Sequence, residues 1–247
     1  MDSSSLIIYI VLTLFYYILV LLPIPDSLKN VLKYLYYLLV IGTQVLMAYI
    51  ISKNNCGTAQ ISDVFIWGFV PWIIVFVGFN LILRLFPGWK SPFSNTFGYL
   101  VVKMAGVNNI FNSMLKPSIK SDDAGLNKIV EKVFEDNSIL INQITPSNFD
   151  NVITKLGKLW DSGSKTFNED KERLRYFVGI KDTVSEFIWS LLIGIITVSM
   201  SSMGVISSKC VKSTEQIHKE ALAYKKTLKE QQDEKNNTVK RQYTIKD

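Results

Sequence analysis

The sequence predicts an all-α integral membrane protein with about four transmembrane helices, a small helical region outside the membrane, and a charged helical tail. Apolar residues make up 48% of the 247 residues, and they are concentrated in four runs that carry almost no charge. Each run has about the 20 residues that an α-helix needs to cross a bilayer. The predicted spans cover residues 6–22, 32–51, 64–85 and 187–206. Between the last two spans no sustained alternation of apolar and polar residues occurs, so we expect no β-sheet there.

Residues 1–85 form the predicted three-span membrane region. The first span ends at Pro23-Ile24-Pro25, because proline has no backbone N–H with which to continue a helix. The second span follows closely, so the first two should form an antiparallel hairpin. Pro71 lies inside the third span and predicts a kink there. The N-terminal Met1–Ser5 lacks the basic residues of a secretory signal, and we therefore expect the first span to be retained.

The stretch Phe86–Tyr99, which we call the elbow, follows the third span. It contains two prolines, two glycines and five aromatic residues. The prolines should stiffen the turn, and aromatic rings are typical of the membrane–water interface. Seven side chains in and beside it are predicted to contact the membrane interface or a partner: Arg84, Trp89, Lys90, Phe93, Asn95, Phe97 and Tyr99. In this interpretation Arg84 and Lys90 bind lipid phosphates and Asn95 is one candidate cap of the next helix; the alternative is an exit turn without any partner.

The predicted segment 86–120 combines the elbow with an amphipathic helix. From Phe97 to Leu115 apolar residues recur every three or four positions, while polar residues take the other face. A helix of this kind beside a membrane exit either lies in the interface or packs as a core helix on the domain that follows. The sequence leaves both alternatives open.

Residues 121–186 predict a small helical region in water, followed by the fourth span at 187–206. One of its helices should begin at Asp122 or Asp123, and another at Asn168. Small side chains four positions apart allow close helix packing in lipid. In the fourth span Ser190 and Gly194 lie four apart, as do Thr197 and Ser201, and Gly204 lies four positions after Met200. Residues 207–247 are rich in charge and predict a helical tail.

Basic residues near the membrane are more numerous on the side of residues 86–186, which favours a cytosolic position for that region. With four spans, Cys56 and Cys210 share the opposite face, and there they can form a disulfide. Two free thiols are the commoner state of such a pair, and we expect that state here. Two cysteines form neither a disulfide framework nor a zinc site.

The sequence contains no constellation typical of catalysis, metal binding or cofactor binding. Its only histidine, His218, lies in the charged tail without cysteine or carboxylate at ligand spacing. Pumps and transporters normally place ionisable residues deep within their spans, whereas Lys33 and Arg84 lie near span ends. The net charge of +6 is modest, and the tail mixes acidic and basic residues, so no specific nucleic acid is expected. We therefore expect a protein that is not an enzyme and holds no cofactor or metal.

The elbow sequence, FPGWKSPFSNTFGY, resembles a segment shared by membrane proteins of nucleocytoplasmic large DNA viruses. The resemblance covers the elbow and the spans before it, about a third of the chain. It implies a component of the virion inner membrane or a membrane-anchored minor capsid component. Either is a structural role in which the partners are the lipid bilayer and other membrane or capsid proteins. A homo-oligomer is compatible with it. The alternatives are an oligomeric channel or entry and fusion accessory, and an assembly or insertion factor of a host endomembrane such as the endoplasmic reticulum.

Overall fold

The computed structural model describes residues 3–116, 131–132, 135–210 and 214–243. Within these residues the chain is helical, and the one β-type contact is an isolated antiparallel bridge between Leu115 and Trp160. Four of the described helices are long and apolar enough to cross a bilayer, which confirms the predicted all-α membrane fold. The predicted helix that begins at Asp122 or Asp123 lies almost wholly outside the described residues.

The first two spans form an antiparallel hairpin, and the third is assembled from several pieces. Helix α1 covers Ser3–Leu21, and helix α2 covers Asp26–Cys56, which extends the predicted second span at both ends. The third span consists of α3 (Ile61–Gly68), a π-helical segment (Trp72–Val77) and α4 (Gly78–Leu85).

The third span is irregular around Pro71, where the sequence predicts a kink. Proline has no N–H, and its ring clashes with the carbonyl four residues before it, so a regular α-helix is disrupted there. The π-helical segment follows directly and carries the side chains of Trp72 and Phe76, which are fully buried in the bundle. The bundle interior also holds Tyr9, Tyr36, Val40, Ile193 and Val198.

The elbow leads into two short helices rather than one amphipathic helix. Its described elements are a 3-10 turn (Pro87–Lys90), helix α5 (Ser91–Phe93) and a second π-helical segment (Ser94–Gly98). Helices α6 (Tyr99–Met104) and α7 (Val107–Met114) follow. The predicted continuous helix is broken at Gly106, whose φ of +95° is a conformation that favours glycine.

The small domain packs helices α6 and α7 against α8 (Ser138–Ile141), α9 (Phe149–Lys155) and the first half of α10 (Phe167–Ser207). Its buried core contains Val102, Val107, Phe111, Met114, Leu115, Ile141, Ile144, Phe149, Ile153, Trp160, Leu174 and Val178. One face of α6 and α7 therefore packs as a domain core. Apolar side chains nearby stay exposed: Phe97, Leu100, Val101 and Met104.

Helix α10 runs without a break through both the small domain and the membrane bundle. Its 41 residues correspond to about 60 Å at ~1.5 Å per residue. The predicted helix from Asn168 and the predicted span at 187–206 are parts of one continuous helix, because the chain between them contains no proline to end it. The charged tail follows as helix α11 (Thr214–Tyr243).

Candidate functional site at the elbow

The elbow crosses the middle of α10, at the level where the small domain meets the membrane bundle. Gly98 makes the closest approach, because a Cβ atom at this position would collide with the carbonyl oxygen of Lys181. Only glycine lets the two backbones come this near. The contact fixes the height at which the elbow sits on the long helix.

Lys90 attaches the elbow to α10 through two ion pairs. Its ammonium donates to Asp182 Oδ2 at 2.7 Å and to Glu186 Oε1 at 3.0 Å. Burial by itself lowers the pKa of the Lys90 ammonium, but the charges of Glu186 and Asp182 outweigh this effect and raise the pKa above the ordinary lysine value. The predicted contact of Lys90 with lipid phosphate is therefore wrong, since its side chain is engaged inside the protein.

Aromatic rings add a second attachment between the elbow and α10. Trp89 and Phe93 both meet the ring of Trp189 edge-on, with centroid distances of 6.3 and 6.0 Å. Aromatic pairs in this geometry contribute about 0.5–1.5 kcal/mol beyond the area they bury. Trp89 is about half exposed, and its ring also stacks with the ring of Phe86.

The other predicted residues of the elbow have separate surroundings. The Tyr99 hydroxyl donates to Asn108 Oδ1 at 3.3 Å, and its ring packs against the domain core. Asn95 donates to Ser91 Oγ at 3.3 Å inside a continuing run of helical turns, so it does not serve as a helix cap. Phe97 is exposed beside the membrane exit, and Arg84 is exposed at the end of α4.

Lys181 is a buried cation beneath the elbow, and sequence reasoning missed it. Its ammonium donates to the carbonyl oxygens of Ile141 at 2.7 Å and Asn142 at 3.4 Å, which ties α10 to the end of α8. Lys181 precedes the apolar span that starts at Phe187. Burial lowers the pKa of the Lys181 ammonium to about 8, and the charge of Asp182 only partly opposes this shift.

Sequence reasoning also missed the α10 residues that receive the elbow, namely Asp182, Glu186 and Trp189. One signal was present, because Asp182 and Glu186 are spaced four apart and thus share a helix face just before the span. Nothing in the sequence pattern pairs that face with Lys90, which lies 92 and 96 residues earlier in the chain.

The small residues predicted to pack helices in the membrane lie at contacts of α10 with the other spans. Gly194 faces the ring of Tyr9 and Gly204 faces the ring of Trp67, with no room for a Cβ in the present arrangement. Ser190 Oγ is hydrogen-bonded to the Tyr17 hydroxyl at 2.8 Å. Thr197 and Ser201 are also buried.

Cys56 and Cys210 form a disulfide at the end of the bundle opposite the small domain. The expectation of two free thiols is therefore wrong. The bond joins the end of α2 to the chain just after α10, with a Cα–Cα distance of 5.3 Å. Helix α2 and the fourth span are thus covalently linked on one face of the membrane.

The site consists of ion pairs and aromatic ring contacts between the elbow and α10. Across the residues described, no group of three or more His, Cys, Asp and Glu side chains could hold a metal ion. A cavity of about 410 Å³ beside the elbow is lined by hydroxyls, amides and the Lys90–Asp182 pair. No family model, curated protein or solved structure matches this chain. The geometry of the elbow is therefore the basis for a functional proposal.

Proposed function

We propose that this protein is a structural, non-catalytic multi-pass membrane protein that holds its small helical domain at a fixed position on one membrane face and thereby anchors an assembly there. The observation that carries the proposal is the double connection between bundle and domain. Helix α10 passes through both without interruption, and the elbow is attached to the same helix at the boundary.

The double connection matters because a domain held by one helix alone can rotate about the linker that joins it. Here the elbow is a second segment of the chain that packs against α10. It is held there by the Lys90 ion pairs, by the aromatic rings around Trp189 and by the close contact at Gly98. These contacts all fall on one stretch of α10, from Lys181 to Trp189, which is about two turns long. A rigid connection of this kind suits a scaffold protein, which keeps the membrane and the assembly bound to it at a fixed separation.

An exposed apolar surface beside the membrane exit supports the same role. It consists of Phe86, Trp89, Phe97, Leu100 and Met104, all of which are at least about half exposed. These side chains continue directly from the end of the third span. Aromatic and aliphatic residues at that level are suited to the interfacial layer of a bilayer, so α6 would rest on the membrane while α7 is buried in the domain.

The disulfide supports an orientation. Disulfides form and persist in oxidising compartments, which favours a position of the Cys56–Cys210 end outside the cytosol. The greater number of basic residues on the other side agrees with a cytosolic small domain. In this orientation the domain would meet partners on the cytosolic face of an endomembrane.

The elbow resemblance supports a more specific location. Membrane proteins of large DNA viruses that share such a segment suggest the virion inner membrane beneath the capsid, with capsid or other membrane proteins as partners. Immunogold labelling and proteomics of purified particles test this location. Absence of the protein from particles would remove the viral location and leave the anchoring role to be tested by itself.

The anchoring role is tested by a double substitution in the full-length chain, Trp89→Ala with Phe93→Ala. Loss of two ring contacts should reduce retention of the protein in its assembly after mild detergent extraction by about tenfold. Tyr176→Ala is the matched control, because Tyr176 is an exposed aromatic on α10 that lies away from the elbow. Equal retention of all three proteins would refute the role of the elbow, and ion flux through vesicles of the purified protein would favour a channel instead.

A further inference from the structure

A second cavity lies among the ends of the spans on the side of the small domain. Its volume is about 190 Å³, and it opens between the end of α1, the start of α2, the end of α4 and the middle of α10. It is lined by Tyr16, Tyr17, Lys33, Tyr36, Tyr37, Asn80, Leu83, Arg84, Pro87, Lys90 and Glu186. The cavity therefore sits at the level where lipid headgroups meet the protein.

The cationic side chains of the cavity differ in whether they already have a partner. Lys90 is paired with both Asp182 and Glu186, so this group of one cation and two carboxylates keeps one negative charge. Lys33 and Arg84 form no ion pair with any residue in the described ranges. Two cations outside any ion pair thus line one small cavity. Three cations (Lys33, Arg84 and Lys90) stand against two carboxylates (Asp182 and Glu186), so these five side chains together keep one positive charge.

The tyrosines of the cavity show the same division. The Tyr17 hydroxyl is bonded to Ser190 and to the Glu186 carbonyl, and the Tyr36 hydroxyl is bonded to Thr13. These two rings are part of the bundle packing. The hydroxyls of Tyr16 and Tyr37 have no hydrogen-bond partner among the residues that the structure describes, so two O–H donors remain for a ligand.

We propose that this cavity binds a phosphate group, supplied by the headgroup of an anionic phospholipid. Arginine presents a planar fork that matches phosphate oxygens, lysine adds a compact charge, and both form strong charge-assisted hydrogen bonds. Basic pockets between transmembrane helices on the cytosolic side are suited to anionic headgroups. The inference rests on the four-span architecture and does not depend on the anchoring role.

The size of the cavity limits the ligand. Pockets for drug-sized molecules measure roughly 300–1,000 Å³, so about 190 Å³ suits a phosphate and its nearest atoms and little more. A small headgroup such as that of phosphatidic acid fits this limit, with the acyl chains outside the cavity along the exposed apolar faces of the spans. Free phosphate shares the same chemistry, and the experiment below separates the two sources.

The test uses purified full-length protein in phosphatidylcholine vesicles that contain spin-labelled phosphatidic acid. The preference of the protein for labelled phosphatidic acid over labelled phosphatidylcholine is measured by electron paramagnetic resonance. Lys33→Gln and Arg84→Gln should each reduce this preference about fivefold, as expected for the loss of one cation near anionic lipid. Tyr37→Phe removes only a hydroxyl and should reduce it less.

Lys103→Gln is the matched control, because Lys103 is an exposed lysine on the same side of the membrane but outside the cavity. It should keep the full preference. An equal loss in Lys103→Gln, or no preference in the unsubstituted protein, would overturn the proposal. Arg84→Lys keeps the positive charge and should keep most of the preference. Each variant should also form the Cys56–Cys210 disulfide, which shows that a lost preference does not come from misfolding.

Inorganic phosphate at millimolar concentration identifies the source of the ligand. If it displaces the labelled lipid, the cavity accepts a phosphate group from solution as well as from a headgroup. If the labelled lipid stays bound, the cavity takes the phosphate from lipid. Both results support a phosphate site, provided that the two cation variants lower the preference and the Lys103 control does not.

Discussion

The two halves of helix α10 pack by different means. In the small domain the helix buries the aliphatic side chains of Leu174 and Val178 among other apolar residues. In the membrane bundle it buries three aliphatic residues, Ile193, Val198 and Val205, and a larger number of small or hydroxyl-bearing residues, namely Ser190, Gly194, Thr197, Ser201 and Ser202. One continuous helix thus changes its packing chemistry at the elbow.

The solvent explains the difference. In water the domain is stabilised by removing apolar surface from contact with the solvent. In lipid this driving force between helices is absent, so close backbone approach, van der Waals contact and hydrogen bonds hold the spans together. In this bundle the spans are held together by the hydrogen bonds Tyr17–Ser190 and Tyr36–Thr13 and by the close contact of Gly194 with Tyr9. Large apolar residues should accordingly dominate stability in one half, and small residues in the other.

The largest expected effect comes from Trp160→Ala in the domain. Trp160 is 1% exposed, packs edge-on against Phe111 and donates its indole N–H to the Ile153 carbonyl. Its removal should destabilise the small domain by about 3–5 kcal/mol. Hydrogen exchange measured by mass spectrometry should show faster exchange in α7 and α9, with the bundle unchanged. Faster exchange throughout the spans would show that the two halves are a single cooperative unit.

The second prediction compares three glycines of α10, each changed to alanine. A methyl group at Gly179 meets open space, and Gly179→Ala should stabilise the helix by about 0.5–1 kcal/mol. At Gly194 it collides with the buried, hydrogen-bonded ring of Tyr9, and Gly194→Ala should destabilise by about 1–3 kcal/mol. At Gly204 the obstructing ring is Trp67, which is 38% exposed and can move toward lipid, so the loss should be smaller.

Unfolding of the purified variants in mixed micelles with increasing dodecyl sulfate measures this series. The expected order of stability is Gly179→Ala, then the unsubstituted protein, then Gly204→Ala, then Gly194→Ala. If Gly194→Ala is as stable as Gly179→Ala, close approach is not what holds the membrane half together. Gly179→Ala is the control for the other two variants, because all three substitutions are the same and lie on one helix.

The sequence predicts what depends on local pattern and leaves out what depends on distant contacts. Apolar runs revealed the four spans, and four-residue spacing revealed small residues such as Gly194 and Gly204. The break at Gly106 requires knowledge of its φ, which an amphipathic pattern does not contain. Lys90 could not be matched with Asp182, because that pairing depends on how the elbow folds back onto α10. The continuity of α10 could not be predicted either, because the change from polar to apolar composition near residue 187 looks like a boundary between two helices.

The last prediction concerns Lys181, which lies where the domain half of α10 gives way to the membrane half, and its effect appears only above a pH of about 8. Below a pH of about 8 its ammonium is protonated in both the folded and the unfolded chain, so pH has no effect on stability through this group. Between pH 8 and the ordinary lysine value of 10.5 the unfolded chain binds more protons. The free energy of unfolding of the domain should therefore rise with pH, by at most about 1.4 kcal/mol per pH unit.

Lys181→Met should remove this rise, because methionine fills the space without a titrating group. Lys158→Met is the control, since Lys158 is exposed in the same domain and its loss should leave the rise unchanged. Hydrogen exchange in α8, referenced to free peptides at each pH, measures the free energy. A rise that persists in Lys181→Met would show that other groups cause it. If the rise disappears in Lys181→Met, the buried Lys181 ammonium is its cause. Lys181 donates to a carbonyl oxygen of the domain just before α10 enters lipid, so this buried lysine marks the end of the domain half.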